Sequence, residues 1–164
     1  MKAPSLWSIN TLQGIPTSVH DRVALAGDAA HAMTPHLGSG AGQGIEDAYI
    51  LAVLLSHPLT TLEALPEVLK IYETVRLPHG NMVQRLSRLN GKLYEFADPR
   101  FADLGDKIQI AEGGQLGEDY EKRLKELGDE IVKSWDWAWT TNIDDDKERA
   151  VGLLVEKFGN VNAH

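Results

Sequence analysis

The sequence predicts an α-rich α/β fold, on three observations. A short apolar run, Val23 to Ala26, closes on Gly27-Asp28. A glycine-rich stretch from Gly38 to Gly44 leads directly into an apolar segment. Beyond it, apolar residues recur every three or four positions over most of the chain. At 164 residues the chain is long enough for one domain with its own core. It is expected to form a single unit over 1–164, with a strand-loop-helix part at 1–58 and a helical part at 59–164.

Residues 1–21 hold Pro4, Gly14 and Pro16 among polar residues, which break any long pattern. Trp7, Ile9 and Leu12 are spaced for one short strand. Val23 to Ala26 reads as a strand buried on both faces, as in a parallel sheet. From Gln43 to about Ser56 the spacing is helical. Ile45, Ala48, Tyr49, Ala52 and Leu55 share the predicted inward face, widened by Leu51 and Leu54, and His57-Pro58 stops the helix. A second helix is predicted over Leu62–Leu77, with Pro66 in its first turn and Leu65, Val68, Leu69, Tyr72 and Val75 as its stripe. Pro78 should kink or end it. A third is predicted from His79 to Phe96, with Met82, Val83, Leu86, Leu89 and Leu93 inward. A short helix is expected near Phe101–Ala111, followed by a Gly113-Gly114 turn. Leu116, Tyr120, Leu124, Leu127, Ile131 and Trp135 mark an amphipathic helix. Asn142 is placed to cap a last helix carrying Ala150, Leu153, Leu154 and Phe158.

Composition narrows the function classes. Hydrophobic residues are 43% and charged residues 24%, as in globular proteins. The net charge of -8 argues against nucleic acid or an anionic membrane as partner. The absence of cysteine excludes a disulfide framework and thiolate metal sites, and accords with a reducing compartment, so a cytoplasmic location is expected. No apolar run approaches the roughly 20 residues needed to span a bilayer, and the first residues lack the apolar core of a signal peptide.

The chemistry concentrates between Arg22 and Asp47. A strand, an acidic residue, a glycine-rich turn and a helix N-terminus, in that order, are how a chain approaches a nucleotide-type cofactor. Asp28 could accept hydrogen bonds from sugar or ribityl hydroxyls, or serve as a helix cap or surface turn. Gly38, Gly40 and Gly42 would let the backbone approach a planar ligand and adopt positive φ. The unpaired N–H groups at the start of the following helix favour an anion, or a ring that becomes anionic on reduction. His31 and His36 lack an evident third metal ligand, and His31 reads as a hydrogen-bonding residue of the turn. Ser39 has no evident base partner. Trp135, Trp137 and Trp139 could stack on a ligand, although packing is the commoner use of such rings. Arg76 reads as a salt-bridging residue before a helix break.

The run Arg22-Val23-x-Leu25-x-Gly27-Asp28-Ala29-Ala30-His31, then Pro35, then Gly38-x-Gly40-Ala41-Gly42-x-Gly44-x-x-Asp47, resembles the second FAD-binding motif of the FAD-dependent aromatic-ring monooxygenases, in particular the salicylate-hydroxylase-like enzymes. Tyr72-Glu73-x-x-Arg76-x-Pro78 and Trp135-Asp136-Trp137 are also similar to the C-terminal third of that family. The resemblance implies residual strands of a Rossmann-like FAD-binding domain followed by a C-terminal helical bundle. It implies that Asp28 binds the ribityl chain and that Pro35 lies against the isoalloxazine. Backbone N–H groups around Gly40, Ala41 and Gly42 would stabilise negative charge on the pyrimidine side, with Gly38 also counted among the cofactor-binding residues. FAD is the implied cofactor and NAD(P)H the implied co-substrate, with O2 supplying the atom transferred to an aromatic or polyketide-like small molecule.

The family's Gly-x-Gly-x-x-Gly turn for the ADP half of FAD does not occur in this sequence, and the catalytic residues stay unassigned. The resemblance therefore also fits a truncated derivative. Such a chain could self-associate as a homodimer or dock with a partner supplying the other FAD half. A different expectation is a flavin-independent protein of the same fold, either a binding module or a non-redox cyclase or isomerase.

Overall fold

The computed structural model describes residues 5–6, 8–105 and 117–159. Two short strands, β1 (Val19–His20) and β2 (Val23–Ala24), form an antiparallel hairpin in which Val19 faces Ala24 and His20 faces Val23. Its tight turn places Asp21 at φ 52°. Next come a four-residue helix, α1 (Asp28–His31), a 3-10 turn (Pro35–Leu37), and α2 (Gly40–Leu55). The long α3 (Leu65–Tyr94) is followed by a helical turn at 102–105, then α4 (Glu118–Ser134), α5 (Asp136–Thr140) and α6 (Ile143–Phe158).

The fold is α-rich, as expected, but its strands differ from the expectation. Val23 is 63% exposed and β2 pairs with the segment just before it, so the run is one arm of a hairpin and not a buried parallel strand. No strand forms at Ile9–Leu12, where both side chains are exposed; Trp7 lies outside the described residues. That segment is instead tied down by single bonds. The Leu12 N–H donates to Ala32 O at 3.0 Å, and Thr17 Oγ1 and the Ser18 and Val19 N–H groups converge on Glu73 Oε1.

The spine is α3, thirty residues long and therefore about 45 Å. Pro66 sits in its first turn as predicted. Pro78 does not end it. The ring lies on an exposed face, while Val75, Arg76, Leu77, Gly80 and Val83 on either side are buried. Tertiary packing on both flanks outweighs the missing backbone bond, so two predicted helices are one.

One apolar cluster joins α2, α3 and α6 through Ile50, Leu54, Val68, Ile71, Tyr72, Val75, Ala150 and Leu154. A second, at the other end of α3, joins Leu93, Phe101, Leu104, Tyr120 and Leu127. The last helix begins as predicted, with Asn142 accepting from the Asp144 N–H at 3.0 Å. The predicted Gly113-Gly114 turn and the end of the short helix near Ala111 lie outside the described residues. Among the described residues, no helix is long and apolar enough to cross a membrane.

Candidate functional site

The face of α2 that turns inward is not the one its apolar pattern predicts. Gln43, Asp47, Ile50 and Leu54 are buried, whereas Ile45 is 71% exposed and Tyr49 and Leu55 also face outward. The cause lies 29 residues away. Arg76 of α3 is 2% exposed and uses all three of its nitrogens. Nε donates to Asp47 Oδ1 at 2.9 Å and Nη1 to Asp146 Oδ2 at 2.8 Å. Nη2 donates to Gln43 Oε1 at 2.9 Å and Glu46 Oε2 at 2.8 Å. A buried guanidinium needs this many acceptors, and only a polar face of α2 supplies them.

Asp47 is the second centre of this network. Its Oδ2 is 2.6 Å from His31 Nε2 and accepts the Gly27 N–H at 2.9 Å. Burial alone would raise the Asp47 carboxyl. The bonds from His31, Gly27 and Arg76 outweigh burial and hold it below the ordinary carboxylate range. Burial likewise opposes the charge on Arg76, and Asp47, Glu46 and Asp146 overcome it. The network thus ties the end of the β2 segment, α1, α2, α3 and α6 to one another. His31 is the structural residue its position suggests, while Arg76 is a buried hub within a continuous helix.

Around this buried hub, Asp28, Pro35, Gly38, Ala41 and Gly42 are exposed. Gly27 adopts φ 57° and ψ -139°, a conformation suited to glycine, and packs against Gly44, where an added Cβ would lie 3.4 Å from the Gly27 Cα. This sets the exposed Asp28, first residue of α1, beside the start of α2. Pro35 opens the 3-10 turn and Gly38 closes it at φ 59°, donating its N–H to Pro35 O at 2.9 Å. The helix begins at Gly40, three residues before the predicted start. Gly40 and Gly42 are therefore helical, and of the three glycines only Gly38 uses positive φ.

The N-terminus of α2 carries no side-chain cap, because Ser39 Oγ donates instead to Leu37 O at 2.8 Å. The N–H groups of Gly40, Ala41 and Gly42 precede the first intrahelical bond and are turned to the outside with the positive end of the helix dipole. A Cβ at Gly38 or Gly42 would meet no atom within 4 Å among the described residues. Backbone donors, a favourable dipole and open space over two glycines fit a flat ligand that carries or acquires negative charge.

The chain matches the family model described as "FAD binding domain" over residues 7–87. It is 42% identical to a salicylate hydroxylase of Pseudomonas putida over 90% of this chain and 30% of that protein. The chain belongs to the salicylate-hydroxylase-like family of FAD-dependent monooxygenases. A 6-methylsalicylate 1-monooxygenase of Aspergillus terreus is 32% identical over 95% of this chain and 30% of its own length. A solved salicylate hydroxylase substrate complex superposes with a TM-score of 0.66 at 38% identity, covering 84% of this chain and 29% of that one. The chain spans about a third of the length of the curated relatives it matches. FAD is the cofactor of this family, and the uncapped start of α2 lies within the matched residues.

Of the aromatic residues singled out in the sequence, Trp137 packs edge-on against His79 with ring centroids 5.6 Å apart. Trp135 Nε1 donates to the Tyr94 hydroxyl at 3.3 Å, and Trp139 is exposed. His31 and His36 do not form a pair. Each ring lodges over a glycine of α3, His31 over Gly80 and His36 over Gly91.

Proposed function

We propose that Asp28, Pro35, Gly38 and the first turn of α2 form the flavin-contacting wall of a monooxygenase that hydroxylates an aromatic or polyketide-like small molecule with NAD(P)H and O2. The observation that carries this is the uncapped, outward-facing N-terminus of α2, directly behind Pro35 and Gly38 and anchored by the buried Asp47–Arg76 network. The likeness to a salicylate hydroxylase and a 6-methylsalicylate 1-monooxygenase supports an aromatic acid as substrate class.

In this role Asp28 accepts hydrogen bonds from the hydroxyls of the ribityl chain. Pro35 offers a rigid apolar surface to the ring system. The N–H groups of Gly40, Ala41 and Gly42 hold negative charge on the pyrimidine side, where the helix dipole favours it by about 0.3–1 kcal/mol and up to about 2 kcal/mol in a partly buried site. Glycine at 42 lets a planar group approach the backbone without meeting a side chain. FAD bound here would supply the redox chemistry that links NAD(P)H and O2 to the substrate, while these residues of the chain bind and orient it.

Titration of the purified chain with FAD, followed by flavin absorbance and fluorescence, tests this directly. Saturable binding that weakens in Asp28→Ala is the expected result. No spectral change up to millimolar chain removes the cofactor role from this surface.

A further inference from the structure

The four-residue helix α1 is too short to hold its own shape, yet it begins with Asp28, the residue assigned above to the ribityl chain. Gly27 O accepts the Ala30 and His31 N–H groups at 2.9 Å each, and no side chain caps the start among the described residues. One atom of another element fixes the entry instead. Asp47 Oδ2, on α2, accepts the Gly27 N–H at 2.9 Å and lies 2.6 Å from His31 Nε2. The same oxygen therefore holds the residue before Asp28 and the last residue of α1.

The other oxygen of Asp47 is committed to α3, through Arg76 Nε at 2.9 Å. Arg76 thus anchors the carboxylate to the body of the fold, but a carboxylate held at one oxygen alone can still swing about that contact. His31 removes this freedom. Its ring is 2% exposed and lodged over Gly80 of α3, where an added Cβ would lie 2.7 Å from Cδ2. Nδ1 is buried with no partner among the described residues, so the ring's polar bond is the one to Asp47. Facing an ionised carboxylate, Nε2 carries the proton and donates. The far end of α1 is held separately, since Ala32 O accepts the Leu12 N–H and Gln84 Nε2 at 3.0 Å. The near end, which carries Asp28, depends on Asp47 Oδ2.

We propose that His31 is a positioning residue for the flavin. Through Asp47 it fixes the spacing between the Asp28 carboxylate and the N–H groups of Gly40, Ala41 and Gly42, which a ribityl chain and a pyrimidine ring must meet together. Asp47 stands on α2, the helix that presents those donors, so its oxygen ties one half of the surface to the other. Buried as it is, His31 touches no ligand on that surface and acts only through its neighbours. A site must hold its groups within about 0.5 Å of the working geometry, so a loosened Gly27 weakens binding without altering any contact residue. The role rests on the function proposed above for Asp28 and the first turn of α2.

His31→Leu removes the donor and keeps bulk over Gly80, while His31→Gln returns an amide N–H near the place of Nε2. Val68→Ala, in the apolar cluster, controls for lost stability alone. Backbone amide exchange is followed by NMR on the free chains. The same chains, with Asp28→Ala and the double variant Asp28→Ala/His31→Leu, are titrated with FAD. In His31→Leu, exchange at the Gly27 and Ala30 amides should rise about tenfold more than at Leu154 of α6, and FAD should bind about tenfold more weakly. His31→Gln should recover most of both. The double variant should bind no more weakly than Asp28→Ala, because His31 acts by placing Asp28. Val68→Ala should unfold at lower urea with its FAD affinity unchanged. Exchange that rises equally at all amides of His31→Leu, or a His31→Leu chain that binds FAD as wild type does, overturns the role of His31 and leaves the flavin site standing. Losses that multiply in the double variant overturn the route through Asp28. FAD binding by no chain overturns the flavin reading, and the role of His31 with it, even where exchange rises only at Gly27 and Ala30.

Discussion

Asp47 and Arg76 meet at 2.9 Å with 1% and 2% of their side chains exposed, and the buried polar contacts of Gln43, Gly27 and His31 are arranged around that pair. Asp47 reaches back to Gly27 and His31, and Arg76 reaches across to Asp146. The pair couples the start of the exposed α2 surface to the body of the fold. Removing one partner strands the other charge in the interior. Arg76→Ala or Asp47→Ala should therefore cost about 3–5 kcal/mol. Urea unfolding measures it, and Arg76→Lys, which keeps the charge but loses the fork, should fall between wild type and Arg76→Ala. In a double-mutant cycle the paired loss should be well below the sum of the single losses.

That network also shows how far the sequence could be read. Both residues stand in the motifs that carry the family resemblance, and the helices on either side were legible from their periodicity. The pairing was not, because a 29-residue separation leaves no local trace. The outward turn of Ile45 and Tyr49 follows from it. An apolar pattern treats Gln43 and Asp47 as solvent-facing, and only the presence of a buried arginine opposite reverses the face. A second clue was available: Gln43, Glu46 and Asp47 put three acceptors on adjacent positions of an otherwise apolar helix. Pro78 misled for the opposite reason. The rule about proline is local, while the burial of Val75, Leu77 and Val83 that keeps α3 continuous is not.

His79 gives the chain a pH dependence of predictable sign. Burial, then the nearby Arg76 charge, lowers its pKa from 6.5, against the opposing pull of Glu46, Asp146 and Asp47. The unfolded chain then takes up a proton that the folded chain resists. The contribution is fully present above pH 6.5 and is lost as pH falls through the lower native value. Asp47 adds a second loss below about pH 4, because its native value lies under that of an ordinary carboxyl. The urea midpoint should thus fall between pH 7.5 and pH 5.5. In His79→Phe, which keeps an aromatic edge for Trp137, that fall should shrink. An unchanged slope in the variant would remove His79 as its source.

Gly80 is fixed by sterics. A Cβ there would lie 2.7 Å from Cδ2 of His31, a ring that is 2% exposed and tethered to Asp47. The ring cannot swing away without losing that bond. Gly80→Ala should destabilise by about 1–3 kcal/mol, although alanine is the better helix former. Thermal unfolding of Gly80→Ala against Gly152→Ala, a glycine of α6 with no atom within 4 Å of an added Cβ among the described residues, separates the clash from helix propensity.

Gly42 separates folding from cofactor binding. It lies in the first turn of α2 with no positive φ, and an added Cβ would meet nothing within 4 Å among the described residues. For the fold alone, alanine is the better choice, by roughly 0.5–1 kcal/mol. A methyl group there would nevertheless project into the space through which a flat ligand approaches the N–H groups of Gly40 and Ala41. Gly42→Ala should therefore raise the unfolding midpoint of the free chain while weakening FAD binding about tenfold or more. Gly38→Ala should behave oppositely in the first respect. Its φ of 59° costs a side chain about 1–2 kcal/mol, so that variant loses stability whether or not flavin binds. If Gly42→Ala gains stability and binds FAD as well as wild type does, the flavin does not approach over the first turn of α2, and the glycine there has no part in holding it.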